Sequence, residues 1–215
     1  MMRDRVCAAR AWAGAHAGLL AVLLLCTAVE LALQGADLGL WGSPRWRALA
    51  YQNGGFWIGL LGDWQPNYAA QPLAMFVSYG FLHAGAAHLA VNMITLASLG
   101  TAVAGRAGQR GFLALYALSV LGGAAGFALL SQAVQPMVGA SGALFGLAGA
   151  LVAWDWRDRR AGGETLWPVL RALALLGLLN LVMYWALDGR LAWETHLGGF
   201  LAGAGWGLLL RRGRR

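Results

Sequence analysis

Residues 139–146 read GASGALFG and open an apolar run in a chain of 215 residues. Ser141 stands at the head of that run, and His196 lies inside a later apolar run. A serine hydroxyl attacks a carbonyl only when a base takes its proton, and histidine has a pKa suited to this task near neutral pH. Polar side chains in membrane-like segments usually face a cavity or a reaction. The pair therefore predicts a serine nucleophile and its base within a bilayer.

The composition is that of an integral membrane protein. Hydrophobic residues make up 59% of the chain and charged residues 12%, whereas soluble domains carry about 25% charged residues. The length allows about six spans of roughly 20 residues and leaves no room for a separate soluble domain of typical size. We therefore predict an all-α, polytopic fold with a single membrane domain over residues 1–215.

Apolar windows predict where the six spans lie. The second window could extend back to Pro72, but a stretch of more than 30 residues exceeds the roughly 20 that one span needs. We therefore assign residues 35–83 to a long, mostly non-spanning outer loop. The predicted spans are 14–34, 84–104, 111–131, 139–155, 166–187 and 194–210.

The arginines predict the orientation, because loops that stay in the cytoplasm carry the excess of basic residues. The chain has 16 basic residues and all are arginine. With a cytoplasmic N-terminus, only Arg45, Arg47 and Arg190 lie outside. We expect both termini in the cytoplasm and a location in a bacterial inner (plasma) membrane. The same bias accounts for the net charge of +7 without nucleic-acid binding.

In this topology, polar groups from three spans lie at the same membrane depth. Ser141 begins the fourth span, His196 begins the sixth, and His88 and Asn92 share one face of the second. Contact between the fourth and sixth spans would require small residues at intervals of four. The fourth span has Gly142 and Gly146, and the sixth has Gly199, Gly203 and Gly207.

These residues predict a dyad mechanism. Ser141 would attack a peptide carbonyl while His196 accepts its proton and later returns it to the leaving amine. Candidate donors to the developing oxyanion are the Ser141 backbone N–H, the Asn92 amide and a His88 ring N–H. No aspartate in the spans lies near enough to complete a triad.

Each polar residue also has a structural interpretation. A serine in a membrane helix commonly bonds its own backbone, and the short glycine–serine pattern also serves close packing. For His83 we favour a structural hydrogen bond over catalysis. For Glu30 we favour an interfacial or hydrogen-bonded structural role over that of a carboxylate in a transport pathway. A zinc site at His83 and His88 is disfavoured, because a spacing of five would turn the rings to different helix faces.

The combined pattern resembles the rhomboid intramembrane serine proteases. It consists of His83-x4-His88-x3-Asn92, the motif from Gly139 to Gly146, and His196-Leu197-Gly198-Gly199. The resemblance covers about residues 71–207 and implies a six-transmembrane-helix rhomboid fold with Ser141 as nucleophile and His196 as base. It further implies His88 and Asn92 as oxyanion donors and Phe145 packed on the catalytic imidazole. We also expect supporting roles for Gly139, Gly142, Gly199 and His83. The expected partners are transmembrane protein substrates in a lipid bilayer, with no cofactor and no metal.

Two points stand beside that resemblance. Many rhomboids carry a Trp-Arg pair shortly before the position of His83, where this chain has Tyr68 to Pro72, and Trp46-Arg47 lies far upstream. The alternative function is non-proteolytic, a rhomboid-like membrane chaperone or binder or a small transporter. It would explain the glycines and the arginine bias but not the matched depth of the four polar groups.

Overall fold

A computed structural model describes residue 14 and residues 16–209, and the described part is helical. No strand occurs there, and Phe56 and Met137 form an isolated bridge. The predicted all-α fold class is confirmed. The arginines at positions 3, 5, 10, 211, 212, 214 and 215 lie outside the described residues. The α-helices are α1 Ala17–Asp37, α2 Trp46–Gly54, α3 Gln71–Ser78, α4 Ala86–Leu130, α5 Ser141–Gly162, α6 Trp167–Ala186 and α7 Trp193–Leu209, with 3-10 helices at Ile58–Leu61 and Tyr79–Phe81.

Three described helices are long and apolar enough to cross a membrane, namely α1, α4 and α6. The predicted windows 139–155 and 194–210 fall on α5 and α7. The charged residues Asp155, Arg157 and Asp158 lie near the end of α5, and only 17 residues of α7 are described. The number of spans therefore stays a prediction, while the membrane fold follows from the apolar helices.

Helix α4 consists of two limbs joined at Gly108. The backbone there is non-helical, with φ of 72° and ψ of 172°, a conformation that suits glycine because it has no Cβ. A Cβ built on Gly100 in the first limb would meet Phe112 in the second, so the second limb folds back beside the first. The limbs correspond to the predicted windows 84–104 and 111–131.

Glycines let α7 pack backbone to backbone against two neighbours. On one face, a Cβ on Gly199 would collide with the carbonyl of Gly142, and one on Gly203 with the carbonyl of Gly146. On the other face, a Cβ on Gly198 would collide with the second limb of α4 at Gly122 and Gly126. The predicted contact surface between the fourth and sixth spans is confirmed, and its small residues allow this close approach.

The segment predicted as an outer loop contains α2, α3 and both 3-10 helices, and Arg47 fixes it to the bundle. The Arg47 guanidinium donates to both carboxylate oxygens of Glu30, at 2.8 and 3.0 Å, and to Asp37 at 2.6 Å. It also donates to the His83 carbonyl at 3.0 Å, as does the Tyr51 hydroxyl at 2.7 Å. The structural role expected for Glu30 is confirmed. Its carboxylate holds the pKa of Arg47 above the ordinary value, so the guanidinium stays charged.

Ion pairs lie at the end of the bundle opposite Ser141. Arg106, just before the kink in α4, pairs with Asp158 near the end of α5 at 2.7 Å, and its guanidinium lies over the Trp154 ring. Arg159 pairs with Asp155 and Glu164. These ion pairs and Ser141 thus lie at opposite ends of α5.

We predict that Gly203→Ala destabilises the protein while Gly205→Ala does not. Both glycines lie on α7, but a Cβ at 203 would meet a backbone carbonyl and one at 205 would meet nothing within 4 Å. Overpacking of this kind costs about 1–3 kcal/mol, whereas alanine in place of an unconstrained helical glycine gains up to about 1 kcal/mol. Thermal unfolding in detergent measures both, and an equal melting temperature for the two variants would contradict the packing.

We also predict that Arg47→Ala is strongly destabilising and Arg45→Ala is not. Removal of Arg47 leaves the Glu30 carboxylate, which is 1% exposed, buried without its partner, at a cost of about 3–5 kcal/mol. Arg45 is exposed and provides a matched loss of charge from the same segment. Similar melting temperatures for both variants would show that the loop is held elsewhere.

Candidate active site

The residues that precede Ser141 are held in place by backbone hydrogen bonds. Phe56 and Met137 exchange two such bonds of 3.0 Å, and the Gly139 N–H donates to the Tyr79 carbonyl at 3.0 Å. The Tyr79 hydroxyl in turn donates to the Val120 carbonyl on α4 at 2.7 Å. Ser141 is the first residue of α5, so these bonds fix the start of the helix that carries it.

The structure brings Ser141 and His196 into contact. The Ser141 Oγ lies 2.8 Å from His196 Nε2, a hydrogen-bond distance between α5 and α7. His196 is 7% exposed, while Ser141 is partly exposed. This is the geometry that a serine nucleophile and a general base require.

Phe145 limits the orientation of the imidazole. Its ring stacks on that of His196 with 4.2 Å between centroids and 10° between planes. Phe145 lies one helical turn after Ser141 on α5, so the same helix presents both the hydroxyl and the flat surface. The packing that the family resemblance implied for Phe145 is present.

Asn180 is a further partner of His196 that the sequence did not reveal. The Asn180 Oδ1 lies 2.6 Å from His196 Nδ1, on the side of the ring away from Ser141. The third group is an amide, whereas a triad would ordinarily contain a carboxylate. The available signal was a lone asparagine in the middle of an apolar helix, where a polar side chain implies a partner or a function.

His88 lies beside the serine, with Gly139 leaving room for it. The His88 Nδ1 accepts a hydrogen bond from the Ala84 backbone N–H at 3.2 Å, so a neutral ring carries its proton on Nε2. A Cβ on Gly139 would be 3.1 Å from that Nε2 and 3.8 Å from Ser141 Oγ. Glycine is also favoured there by a φ of 135°.

Asn92 is less clearly directed at the serine. It is 3% exposed, and its amide donates to the His88 carbonyl one turn earlier on α4 at 3.1 Å. One amide hydrogen remains for another acceptor. Oxyanion binding by His88 and Asn92 therefore stays a prediction. The geometry gives Gly142 a packing role, because a Cβ there would lie 3.0 Å from Thr195 Oγ1.

His83 is buried next to His88. It is fully buried, and neither ring nitrogen has a partner at good hydrogen-bond geometry in the described part of the chain, so the expected structural hydrogen bond stays a prediction. Its ring lies 5.3 Å from that of His88, although their spacing had suggested different helix faces. The helical argument fails because α4 begins only at Ala86. Burial, with a smaller contribution from His88, lowers the pKa of His83 to about 4.

A cavity of about 320 Å³ lies between α6 and α7 beside the serine–histidine pair. Its walls include Asn180, His196 and Phe145, and the rest of the lining is mostly apolar. Among the described residues, no group of three or more His, Cys, Asp or Glu side chains gathers in a metal-binding arrangement.

Comparison with known proteins matches the sequence to a known family. The family model described as the Rhomboid domain matches residues 70–213. RHOMBOID-like protein 5 of Arabidopsis thaliana is 38% identical over 63% of this chain and 44% of its own length. Rhomboid protease GluP of Bacillus subtilis is 34% identical over 59% of this chain and 25% of its own length. RHOMBOID-like protein 6, mitochondrial, of Arabidopsis thaliana is 30% identical over 69% of this chain and 47% of its own length. The chain thus spans less than half the length of each relative.

We predict that His83 makes the protein less stable in acid. Its pKa is about 4 in the folded state and about 6.5 in an unfolded chain. The unfolded state therefore takes up the proton first, and stability falls as the pH is lowered from about 6.5 to about 4. The melting temperature of His83→Phe, which cannot titrate, should fall less between pH 7 and pH 4.5 than that of the wild type. Equal decreases would refute this role.

Proposed function

This chain belongs to the rhomboid family, and we propose that it is an intramembrane serine endopeptidase that cleaves transmembrane segments of other membrane proteins. The observation that carries the proposal is the 2.8 Å contact between Ser141 Oγ and His196 Nε2. It joins two helices of a membrane fold, where polar side chains are costly to bury and usually have a function. The protease GluP among the relatives supports the same activity.

The reaction follows from the positions of the two side chains. Ser141 Oγ attacks the carbonyl carbon of the scissile peptide while His196 Nε2 takes the hydroxyl proton. The tetrahedral intermediate collapses, His196 gives the proton to the leaving amine, and an acyl-enzyme on Ser141 remains. His196 then deprotonates a water molecule, which hydrolyses the ester and restores Ser141. These two residues supply the nucleophile and the acid–base group, so the steps as written need no metal or cofactor.

The negative oxygen of the intermediate would lie near the first turn of α5. Backbone N–H groups of a first helical turn have no acceptor within the helix, and the N-cap of α5 has no side-chain hydrogen bond. The Ser141 amide is therefore available as a donor. The His88 Nε2–H faces the same space, and we propose the Asn92 amide as the third donor.

Water must reach this site, and we propose that it enters from the Ser141 end of the bundle. A cavity of about 420 Å³ lies between the segment that precedes α5 and the one that follows α6, and Gln132, Arg190 and Glu194 are among its lining residues. We propose that this end faces the outside of the membrane and that cleavage occurs near the outer face. The arginine bias supports this orientation, with both termini in the cytoplasm.

The membrane itself is a further part of the proposal. We place the protein in a bacterial inner membrane. In support of this, one of its relatives, GluP, is a bacterial protein. RHOMBOID-like protein 6 is mitochondrial by its name, so the family is found in more than one membrane. The proposed partners are transmembrane protein substrates in the surrounding lipid bilayer.

We predict that the wild type, reconstituted in lipid, cuts a model single-span substrate and that Ser141→Ala and His196→Ala do not. Loss of either member of such a pair lowers the rate by at least about 10³-fold. Ser98→Ala, a change at an exposed serine of α4, is the matched control and should cut normally. Gel analysis of the products measures this. Equal cleavage by all variants would assign the activity to a contaminant.

A fluorophosphonate probe separates the protease from a transporter or binder. The probe reacts with an activated serine and needs no substrate recognition. It should label the wild type and not Ser141→Ala. If a folded wild type resists the probe, the serine is not activated and the proposed function fails.

A further inference from the structure

We propose that Asn180 is a positioning residue of the active site, which fixes the tautomer of His196. The ability of His196 to act as a base then depends on the position of α6. The inference rests on the proposed function, because it assigns Asn180 a task in the same reaction. It extends the dyad predicted from the sequence to an Asn180–His196–Ser141 chain of hydrogen bonds, with distances of 2.6 and 2.8 Å.

The first step of the argument is the orientation of the Asn180 amide. Its Nδ2 donates to the Leu176 carbonyl one turn earlier on α6, at 3.0 Å. The hydrogen bond within the helix leaves Oδ1 as the atom that faces His196. An amide oxygen only accepts hydrogen bonds, so the facing nitrogen of the imidazole, Nδ1, must carry the proton.

The second step follows from the tautomer. A neutral imidazole protonated on Nδ1 has its lone pair on Nε2, and Nε2 is the nitrogen 2.8 Å from Ser141 Oγ. The base can then accept the serine proton. In the opposite tautomer, the Nδ1 lone pair would face the Asn180 oxygen and Nε2 could not accept that proton. Asn180 therefore favours the reactive form.

The third step concerns the surroundings. Phe145 stacks on the face of the His196 ring and restricts its plane, while Asn180 holds one edge and restricts rotation within that plane. An asparagine does this without placing a full negative charge among apolar residues, where an ionised group is expensive to bury. The amide dipole still offers an acceptor to the imidazolium that forms during catalysis.

The fourth step is the weak attachment of α6. Val169 is the one residue of this helix that is buried in the described structure. Within the described residues, no other α6 side chain forms a hydrogen bond to a different helix. Movement of α6 away from α7 would therefore break the bond to His196. A group in the 320 Å³ cavity lies directly beside this bond, because Asn180 and His196 both line it.

The experiment uses the full chain in detergent, with ¹⁵N-labelled histidine, at neutral pH. The chain has four histidines, and His196→Gln identifies the signal of the one in question. In the wild type, we expect His196 to show a protonated Nδ1 and an unprotonated Nε2. In Asn180→Leu, the Nε2-protonated form should appear, whereas Asn180→Asp, which keeps the acceptor, should retain the wild-type tautomer.

Kinetics on the same proteins supply the second readout. Asn180→Leu leaves a buried N–H without an acceptor, so kcat and the rate of fluorophosphonate labelling should fall about ten- to hundredfold with KM nearly unchanged. Asn180→Asp should recover part of the rate. Leu173→Ala removes bulk from the same cavity wall at a residue outside the Asn180–His196–Ser141 chain, and it should preserve both tautomer and labelling rate.

The proposal is overturned if Asn180→Leu keeps the wild-type tautomer, or if its labelling rate equals that of Leu173→Ala while the wild type is active. Failure of the proposed function looks different, because a wild type that neither labels nor cleaves would have no rates to compare. The tautomer comparison alone would then decide the role of Asn180.

Discussion

The close approach of α5 and α7 is the constraint on which the rest of the structure depends. Lipid offers no hydrophobic advantage to one helix contacting another, so tight van der Waals contact has to hold them. Gly199 and Gly203 on α7 meet carbonyls of α5 that leave no space for a Cβ. Since both helices are rigid, this register also sets how Ser141 faces His196. The site is thus a result of packing along the whole helix pair.

The centre of the site consists of groups that are neutral before reaction. A hydroxyl, an imidazole, an amide and an aromatic ring surround the reacting atoms, and each of the polar ones has a partner. Full charges are placed where they can be paired. Arg47 binds Glu30 and Asp37 beneath the outer segment, and Arg106 binds Asp158 at the far end. This division suits a medium in which an unpaired charge is expensive and an oriented dipole is effective.

The sequence predicted those features that repeat along one helix or form a local pattern. The contact between Ser141 and His196 and the glycine surfaces were foreseen because the four-residue spacing of glycines predicts close packing. Asn180 and Arg47 were not, since their partners are set by how α6 and the outer segment fold back onto the bundle. The neighbouring rings of His83 and His88 were missed for a local reason. Gly85, with a φ of 99°, precedes the start of α4, and helical spacing does not apply across it.

The most direct test is the rate at which a fluorophosphonate modifies Ser141 in Gly203→Ala and in Gly205→Ala, followed by intact mass in lipid. Neither residue touches the serine, and a Cβ meets backbone only at position 203. If packing of α5 on α7 sets the geometry of the pair, Gly203→Ala should react far more slowly than the wild type and Gly205→Ala at the wild-type rate. Equal rates in all three proteins would contradict the account, because Ser141 would then be activated without the helix contact.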